Sequence, residues 1–317
     1  MSDRQAIAQG GGAGEVRLGT VTVTFHPDLA LLRAQLRALP QGALNLIVDN
    51  GSAAGAVQGL KELQQEFPAL MLHLNAVNVG LAEALDQGVR MLADLHDPCT
   101  HVLLLDQDSE PHHRAIPVLL DVLARLERSG LRPGAVGPQL LDPGTGLMHG
   151  FHCMTRWRWS RVFPSLQQEP IPVANLNGSG TLMRTTTYLR CGGLDRELFI
   201  DHVDTEWSFR LLHAGYTLWG VPSAVFGHRM GERGLRWWMF GWRIWPVRSP
   251  HRHRYLFRNT VRLMRRPYVP RVWKVWASVK LVLTLVVCVC FDAQRVSQAQ
   301  CMWRGVRDGL GRGNGRG

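Results

Sequence analysis

The chain has 317 residues, of which 45% are hydrophobic and 19% charged, so it can build a sizeable core and is not wholly disordered. Its formal net charge of +11 predicts an anionic partner, such as a membrane surface, a polyanion or a phosphorylated substrate. The six cysteines lack the spacing of a metal site or a disulfide framework, and no signal-peptide pattern is found, so reduced cytoplasmic thiols are expected.

Strands and helices are predicted to alternate over the first hundred residues. Short β-branched or leucine-rich runs predict strands at 19–25, 44–48, 70–74 and 101–105. Apolar residues at helical spacing predict helices at 29–39, 57–67 and 81–95. Repeated βα units of this kind form parallel sheets, so the predicted fold class is α/β, with a doubly wound, mostly parallel sheet flanked by helices.

Two acidic residues, Asp106 and Asp108, follow the fourth predicted strand directly. Residues two apart in an extended chain face the same side, so both carboxylates can reach one cation. Such an oxygen-rich pair suits Mg²⁺ or Mn²⁺ together with a diphosphate. From this stretch alone, a solvated turn is an equally good interpretation, because Asp is a common turn residue.

Polar residues also follow other strands of the predicted sheet, in the segments 49–50 and 78–80. Because the carboxyl ends of parallel strands lie at one edge of the sheet, these loops and the paired acids predict a nucleotide pocket there. No GxGxxG follows the first strand and no GxxxxGK[ST] occurs, which disfavours a Rossmann dehydrogenase or a P-loop NTPase.

The second half of the chain has a less regular pattern. A helix at 116–128 and a strand at 135–141 are predicted, residues 142–174 look irregular, and a Gly-Ser-Gly turn at 178–180 leads into another strand. A helix is predicted to end near Gly215, and acids crowd its first turn. The helix dipole alone would favour acids at that N-terminal end. Short strands follow at 217–221 and 224–228, ending at His228, which is either structural or a metal ligand.

Nine segments, in order, resemble the inverting glycosyltransferases of family 2, which have the GT-A fold. They are 23–27, 47–52, 78–82, 104–109, 178–180, 199–207, 215–216, His228 with Gly231, and 254–259. Together they cover about residues 20–260. The Asp-Gln-Asp form at 106–108 and the Phe-Ile-Asp-x-x-Asp-x-Glu-Trp form at 199–207 are most similar to the bacterial rhamnosyltransferase branch.

The resemblance implies a nucleotide-sugar donor, expected to be dTDP-L-rhamnose, with UDP-galactofuranose or a UDP-hexose as the alternative. It implies a lipid-linked or growing surface polysaccharide as acceptor, such as O-antigen, capsule or exopolysaccharide. Asp204 is the expected catalytic base. The implied metal ligands for Mg²⁺ or Mn²⁺ are Asp106, Asp108 and His228. Implied contacts to the nucleotide sugar come from Thr24, Asp49, Asn50, Asn78, Gly80, Asp106 and Gln107. Implied acceptor-side residues are Asp201, Glu206, Trp207, Gly178 and Ser179.

The predicted organisation is a disordered tail (1–17), a GT-A domain (18–232), a basic, Trp-rich helical region (233–305) and a second disordered tail (306–317). Within the GT-A domain, residues of about 18–110 form the nucleotide half and 111–232 the acceptor half. The basic region contains the apolar stretch 279–291, which is shorter than a membrane span.

That stretch predicts an in-plane helix on an anionic membrane surface, or else a core helix. The expected location is therefore the cytoplasm, peripheral at the inner face of the bacterial cytoplasmic membrane. A non-catalytic lipid- or nucleic-acid-binding protein is the alternative of a different class. Nucleic acid is the less favoured ligand, because no nucleic-acid motif accompanies the basic residues.

Overall fold

The computed structural model describes residues 15–229, 233–238 and 242–311. Its strands are β1 (Leu18–Thr24), β2 (Leu44–Asn50), β3 (Leu70–Asn75), β4 (His101–Asp106), β5 (Ser109–Pro111), β6 (Pro133–Leu141), β7 (Phe151–Met154), β8 (Trp159–Val162), β9 (Ile171–Pro172), β10 (Leu182–Arg184), β11 (Thr217–His228), β12 (Arg233–Trp238) and β13 (Trp242–Val247). Its α-helices are α1 (Leu29–Ala38), α2 (Ala54–Glu66), α3 (Leu81–Ala93), α4 (Ala115–Arg128), α5 (Thr185–Arg190), α6 (Val203–His213), α7 (Pro250–Met264), α8 (Arg271–Phe291) and α9 (Arg295–Leu310).

A nine-stranded mixed sheet forms the centre of the molecule. Its strand order is β3-β2-β1-β4-β10-β6-β11-β5, and β9 pairs with β11. The first four strands along this order are parallel, as is the pair of β6 with β11, whereas β5, β9 and β10 run antiparallel to their neighbours. The predicted fold class, a mostly parallel sheet flanked by helices, is therefore confirmed.

The central strand β4 is apolar on both faces, which explains its position in the middle of the sheet. Val102 and Leu104 belong to one buried cluster, whereas Leu103 and Leu105 belong to the cluster on the other side. Successive residues of a strand point to opposite faces, so only an unbroken apolar run can fill both cores. The run ends at Asp106, which brings the first acid to the carboxyl edge of the sheet.

Three predictions about local structure are wrong. Residues 142–174 are not irregular throughout, since β7 and β8 form an antiparallel hairpin there and β9 joins the main sheet. The two strands predicted within 217–228 are one strand, β11, with a register shift between Val221 and Val225 that resembled a break. The start of the predicted helical region at 233 is instead the hairpin β12–β13, in keeping with the strand preference of tryptophan.

Both predicted tails contain ordered residues. Arg17, in the predicted tail 1–17, donates its backbone N–H to Thr100 Oγ1. In the tail predicted at 306–317, α9 continues to Leu310. Gly309, one of the glycines that suggested disorder, instead allows close helix packing, because a Cβ there would lie 2.8 Å from the carbonyl oxygen of Arg258 on α7.

The apolar stretch 279–291 is the second half of α8, a helix of 21 residues. Within the described part of the chain, α8 is the one helix long and apolar enough to cross a membrane, by length and composition only. This corrects the expectation that the apolar segment is too short. The interpretation of α8 as a core helix is disfavoured, since 22% of its most apolar window is buried.

Candidate active site

Three potential metal ligands meet where β4 and β11 end. Asp106 is the last residue of β4, Asp108 lies in the following turn, and His228 ends β11. The antiparallel pairing of β5 with β11 sets His228 opposite Ser109, which brings the imidazole to the acids. His228 Nδ1 lies 3.5 Å from Asp108 Oδ1 and 3.9 Å from Asp106 Oδ2, and the candidate ligand atoms all lie within 4.8 Å of one another.

This cluster fits a divalent cation. Two carboxylates and an imidazole are suitable ligands for Mn²⁺, and the carboxylates also suit Mg²⁺. His228 Nδ1 is buried and makes no well-formed hydrogen bond. Burial raises the pKa of Asp106 to about 6, with Asp108 and Asp204 adding to the rise and His228 opposing it. Ionised acids held this closely in a half-buried site are stabilised by a cation.

The turn at 177–181 packs against this cluster through serine hydroxyls. Ser109 Oγ accepts the Asp106 N–H at 2.9 Å and lies 2.6 Å from Ser179 Oγ. Asn177 Oδ1 accepts the Ser179 N–H and fixes the turn. The predicted residues Gly178 and Ser179 are therefore brought to the acidic cluster, and both serines are fully buried or nearly so.

Asp204 faces the same site from the first turn of α6. Burial raises the pKa of its carboxyl group, and hydrogen bonds from Thr205 and from the Gly178 backbone oppose the rise. The Asp204 charge in turn raises the pKa of Asp106, so the two carboxylates belong to one electrostatic site. A buried carboxylate with a raised pKa is better matched to accepting a proton near neutral pH than an ordinary aspartate.

The predicted nucleotide-side residues are mostly occupied in holding their own loops. Asp49 is fully buried, and its carboxylate accepts hydrogen bonds from the Thr24 hydroxyl and from Ser52. Asn50 donates to Asn78 Oδ1 at 3.0 Å and accepts the Val79 N–H. The structure thus brings Thr24, Asp49, Asn50 and Asn78 together at one edge as a scaffold for two loops.

Gly80 and Gln107 also have structural reasons for their positions. Gly80 has φ of +90°, and a Cβ there would lie 2.5 Å from the Phe199 ring, so glycine is required by both conformation and space. Gln107 Oε1 accepts the backbone N–H of Phe25 at 2.8 Å, which joins the turn after β4 to the end of β1. Gln107 lies between the two acids in sequence and supports the turn that presents them.

The role of Glu206 and Trp207 on the acceptor side stays a prediction, and both side chains are buried. Glu206 is 1% exposed and forms ion pairs with Arg210 and Arg266 and a hydrogen bond with the Tyr268 hydroxyl. Trp207 is 3% exposed, and its ring packs against Tyr188. Both side chains anchor α6 in the interior, because residues near Asp204 in sequence point to other sides of the helix.

Asp201 precedes α6 in a segment with unusual backbone geometry. Phe199, Asp201 and His202 all have φ between +62° and +63°. The Asp201 carboxylate pairs with Arg248 and Arg252, so its predicted acceptor role would be exercised through these arginines. We name residues 197–202 the base loop, because they directly precede α6, the helix that carries Asp204.

A cavity of about 110 Å³ adjoins the acidic cluster, and sequence patterns gave no sign of it. His228 and Ser179 line it on the side of the cluster, and His149, His152 and Asn175 supply further polar groups. Two of these residues come from the region 142–174 that lacked a recognisable pattern. A cavity with several polar side chains beside candidate catalytic groups suits a hydroxyl-bearing ligand.

Comparisons with known proteins agree with this fold and site. Residues 32–184 match the family model "Glycosyl transferase family 2". Over 255 residues the chain is 28% identical to the dTDP-rhamnosyl transferase RfbF of Shigella flexneri, covering 79% of this chain and 80% of that protein.

Two solved structures share the fold. One is GalNAc-T7 with UDP, GalNAc and Mn²⁺, at a TM-score of 0.54 and 17% identity, covering 68% of this chain and 44% of that one. This chain therefore spans less than half the length of the GalNAc-T7 chain. The other is the mannosyltransferase PcManGT from Pyrobaculum calidifontis with GDP-Man and Mn²⁺, at a TM-score of 0.53 and 14% identity, covering 93% and 87%.

The sheet, its acidic edge and these matches define the chain as a glycosyltransferase. More narrowly, its residues 32–184 match glycosyltransferase family 2, in agreement with the resemblance predicted from the sequence.

Proposed function

We propose that this enzyme transfers L-rhamnose from dTDP-L-rhamnose to a lipid-linked or growing surface polysaccharide, with inversion at the anomeric carbon. The observation that carries the proposal is that Asp204 and the half-buried Asp106–Asp108–His228 cluster form one electrostatic site at the carboxyl edge of the sheet. The match to the Shigella flexneri dTDP-rhamnosyl transferase supports the choice of donor. The same site with UDP-galactofuranose or a UDP-hexose is the alternative.

In the proposed mechanism, Asp204 accepts the proton of the acceptor hydroxyl as that oxygen attacks C1 of the donor sugar. Attack on the face opposite the leaving nucleotide inverts the anomeric centre. Asp106, Asp108 and His228 would hold Mg²⁺ or Mn²⁺, which would stabilise the negative charge of the leaving diphosphate. The loops held by Asp49, Asn50 and Asn78 position the nucleotide.

A panel of donors tests this proposal. Purified enzyme with Mn²⁺ is incubated with dTDP-L-rhamnose, UDP-galactofuranose or UDP-glucose, and release of the nucleoside diphosphate is measured with and without a membrane extract as acceptor source. We expect turnover with dTDP-L-rhamnose that rises when the extract is added, together with thermal stabilisation by dTDP. Turnover with a UDP-sugar alone would assign the alternative donor, and no turnover with any donor would contradict the proposal.

We also propose that the enzyme works peripherally at the inner face of the bacterial cytoplasmic membrane. Valines at 275, 279, 282, 286 and 289 are exposed and recur at helical spacing, which makes one apolar face on α8. Residues 248–311 contain 13 Lys and Arg and 2 Asp, so their net charge of +11 equals the formal net charge of the whole chain. An apolar helix face surrounded by cations favours an anionic lipid surface.

Vesicle binding should depend on both features. The enzyme should sediment with phosphatidylglycerol-containing vesicles and less with pure phosphatidylcholine, and binding should weaken as salt is raised. Val282→Asp should weaken binding by about tenfold, because it places a charge on the apolar face. Val16→Asp, at another exposed valine, is the matched control and should bind normally. Equal binding to both vesicle types would contradict the proposal.

A further inference from the structure

We infer that Asn259, on α7, is a positioning residue that holds the base loop and thereby sets the geometry of Asp204. This inference rests on the proposed role of Asp204 as the base. Asn259 is fully buried, and its side-chain nitrogen lies 2.7 Å from the carbonyl oxygens of Leu198 and Ile200 and 2.9 Å from that of Asp201. One amide group thus binds three backbone carbonyls of a single loop.

The base loop requires such support because its backbone is strained. Non-glycine residues rarely adopt positive φ, yet three of the six residues of the loop do so. Carbonyls that converge on one point repel one another unless a donor stands between them. The two hydrogens of the Asn259 amide nitrogen are shared among three of these carbonyls, so the loop can hold a conformation that its own residues do not favour.

The orientation of the Asn259 side chain is fixed by its neighbour. Arg258 donates from Nε to Asn259 Oδ1 at 3.0 Å, which directs the oxygen toward the guanidinium and the nitrogen toward the loop. Arg258 also donates from Nη2 to the carbonyls of Glu197 and Leu198 at 2.8 and 3.0 Å. Consecutive residues of α7 therefore bind the carbonyls of residues 197, 198, 200 and 201 in the base loop.

The remaining contacts extend this support to the donor side and to α6. The Phe199 carbonyl accepts the Leu81 N–H at 2.6 Å, and the Phe199 ring stacks on Tyr255 of α7 at 4.9 Å between centroids. His202, the residue before α6, pairs through Nε2 with the buried Thr260 hydroxyl at 2.9 Å. The base loop is therefore held between the first residue of α3 and helix α7.

A double-mutant cycle tests the inference. Asn259→Asp keeps the side-chain volume but removes the donor, and we expect kcat for transfer to fall by about tenfold to hundredfold, because a small displacement of a base has effects of that size. The KM for the donor and the affinity for dTDP should change little. Arg265→Ala is the matched control: Arg265 directly follows the same helix and also binds backbone carbonyls, but those of Gly309 and Leu310, so kcat should be unchanged.

Making Asn259→Asp in the Asp204→Asn background separates an effect on the position of Asp204 from a general destabilisation of the enzyme. If Asn259 acts through Asp204, adding Asn259→Asp to Asp204→Asn should lower the residual kcat no further. The same fold loss in both backgrounds, or near-normal kcat in Asn259→Asp alone, would overturn the inference. An Asp204→Asn enzyme with normal activity would instead contradict the proposed base, so the two failures are distinguishable.

Discussion

Asp204→Asn should lower kcat for sugar transfer by about 10²- to 10⁴-fold, the range that a positioned base contributes. The amide cannot accept the proton of the acceptor hydroxyl, whereas its size and its contacts with Thr205 are largely retained. Affinity for dTDP and the thermal unfolding midpoint should stay close to those of the parent enzyme. Initial rates at saturating donor, with calorimetric titration of dTDP, provide the measurement.

The pH dependence gives a second test of the same residue. Burial raises the pKa of Asp204 above the ordinary value of 3.8, and only the deprotonated carboxylate can act as a base. Activity should therefore be lost as pH falls through this raised pKa, and kcat/KM should have an acidic limb above pH 3.8. Asp204→Asn should lack this limb. A limb that survives unchanged in the variant would assign the titration to another group.

Removal of divalent metal should be the other large effect, lowering kcat by at least about 10²-fold, since charge stabilisation by a metal is worth several kcal/mol. EDTA should abolish turnover, and Mn²⁺ or Mg²⁺ should restore it. Asp108→Asn should need far more metal for half-maximal activity, because it removes a charge from the three-residue cluster. The measurement is a titration of initial rate against metal concentration after chelation.

Asp121→Asn is the control for this substitution. Asp121 is an exposed acid on α4, outside the candidate metal cluster, so its loss removes a charge of the same kind without touching the site. It should leave the metal titration unchanged. Full activity of the parent enzyme after exhaustive chelation would contradict a role for metal at Asp106, Asp108 and His228.

The parallel half of the fold is predictable because its signals are local. Each of β1 to β4 is a short apolar run that ends in polar residues, and α1 to α3 have apolar residues at helical spacing. The paired acids at 106 and 108 can be located for the same reason, since they follow the most apolar strand directly. Their meeting with His228 depends on the pairing of β5 with β11, which joins residues more than a hundred positions apart.

The other half could not be predicted from such patterns. Asp204 and Glu206 are both acids in the first turn of one helix, and only packing separates the acid of the site from the one bound by Arg210 and Arg266. Asn259 lies in the segment 254–259, which resembles family 2, but its role depends on carbonyls about sixty residues earlier. Contacts over such distances leave no periodicity in the sequence.

The support of the base loop by α7 has a consequence for building chimeric enzymes. The family match ends at Arg184, before Asp204, His228 and the whole of α7. An exchange of acceptor-recognising segments between relatives at a junction near residue 230 would separate the base from the helix that holds its loop. Such hybrids should retain nucleotide binding yet transfer poorly, and carrying the segment 197–264 as one unit should restore transfer.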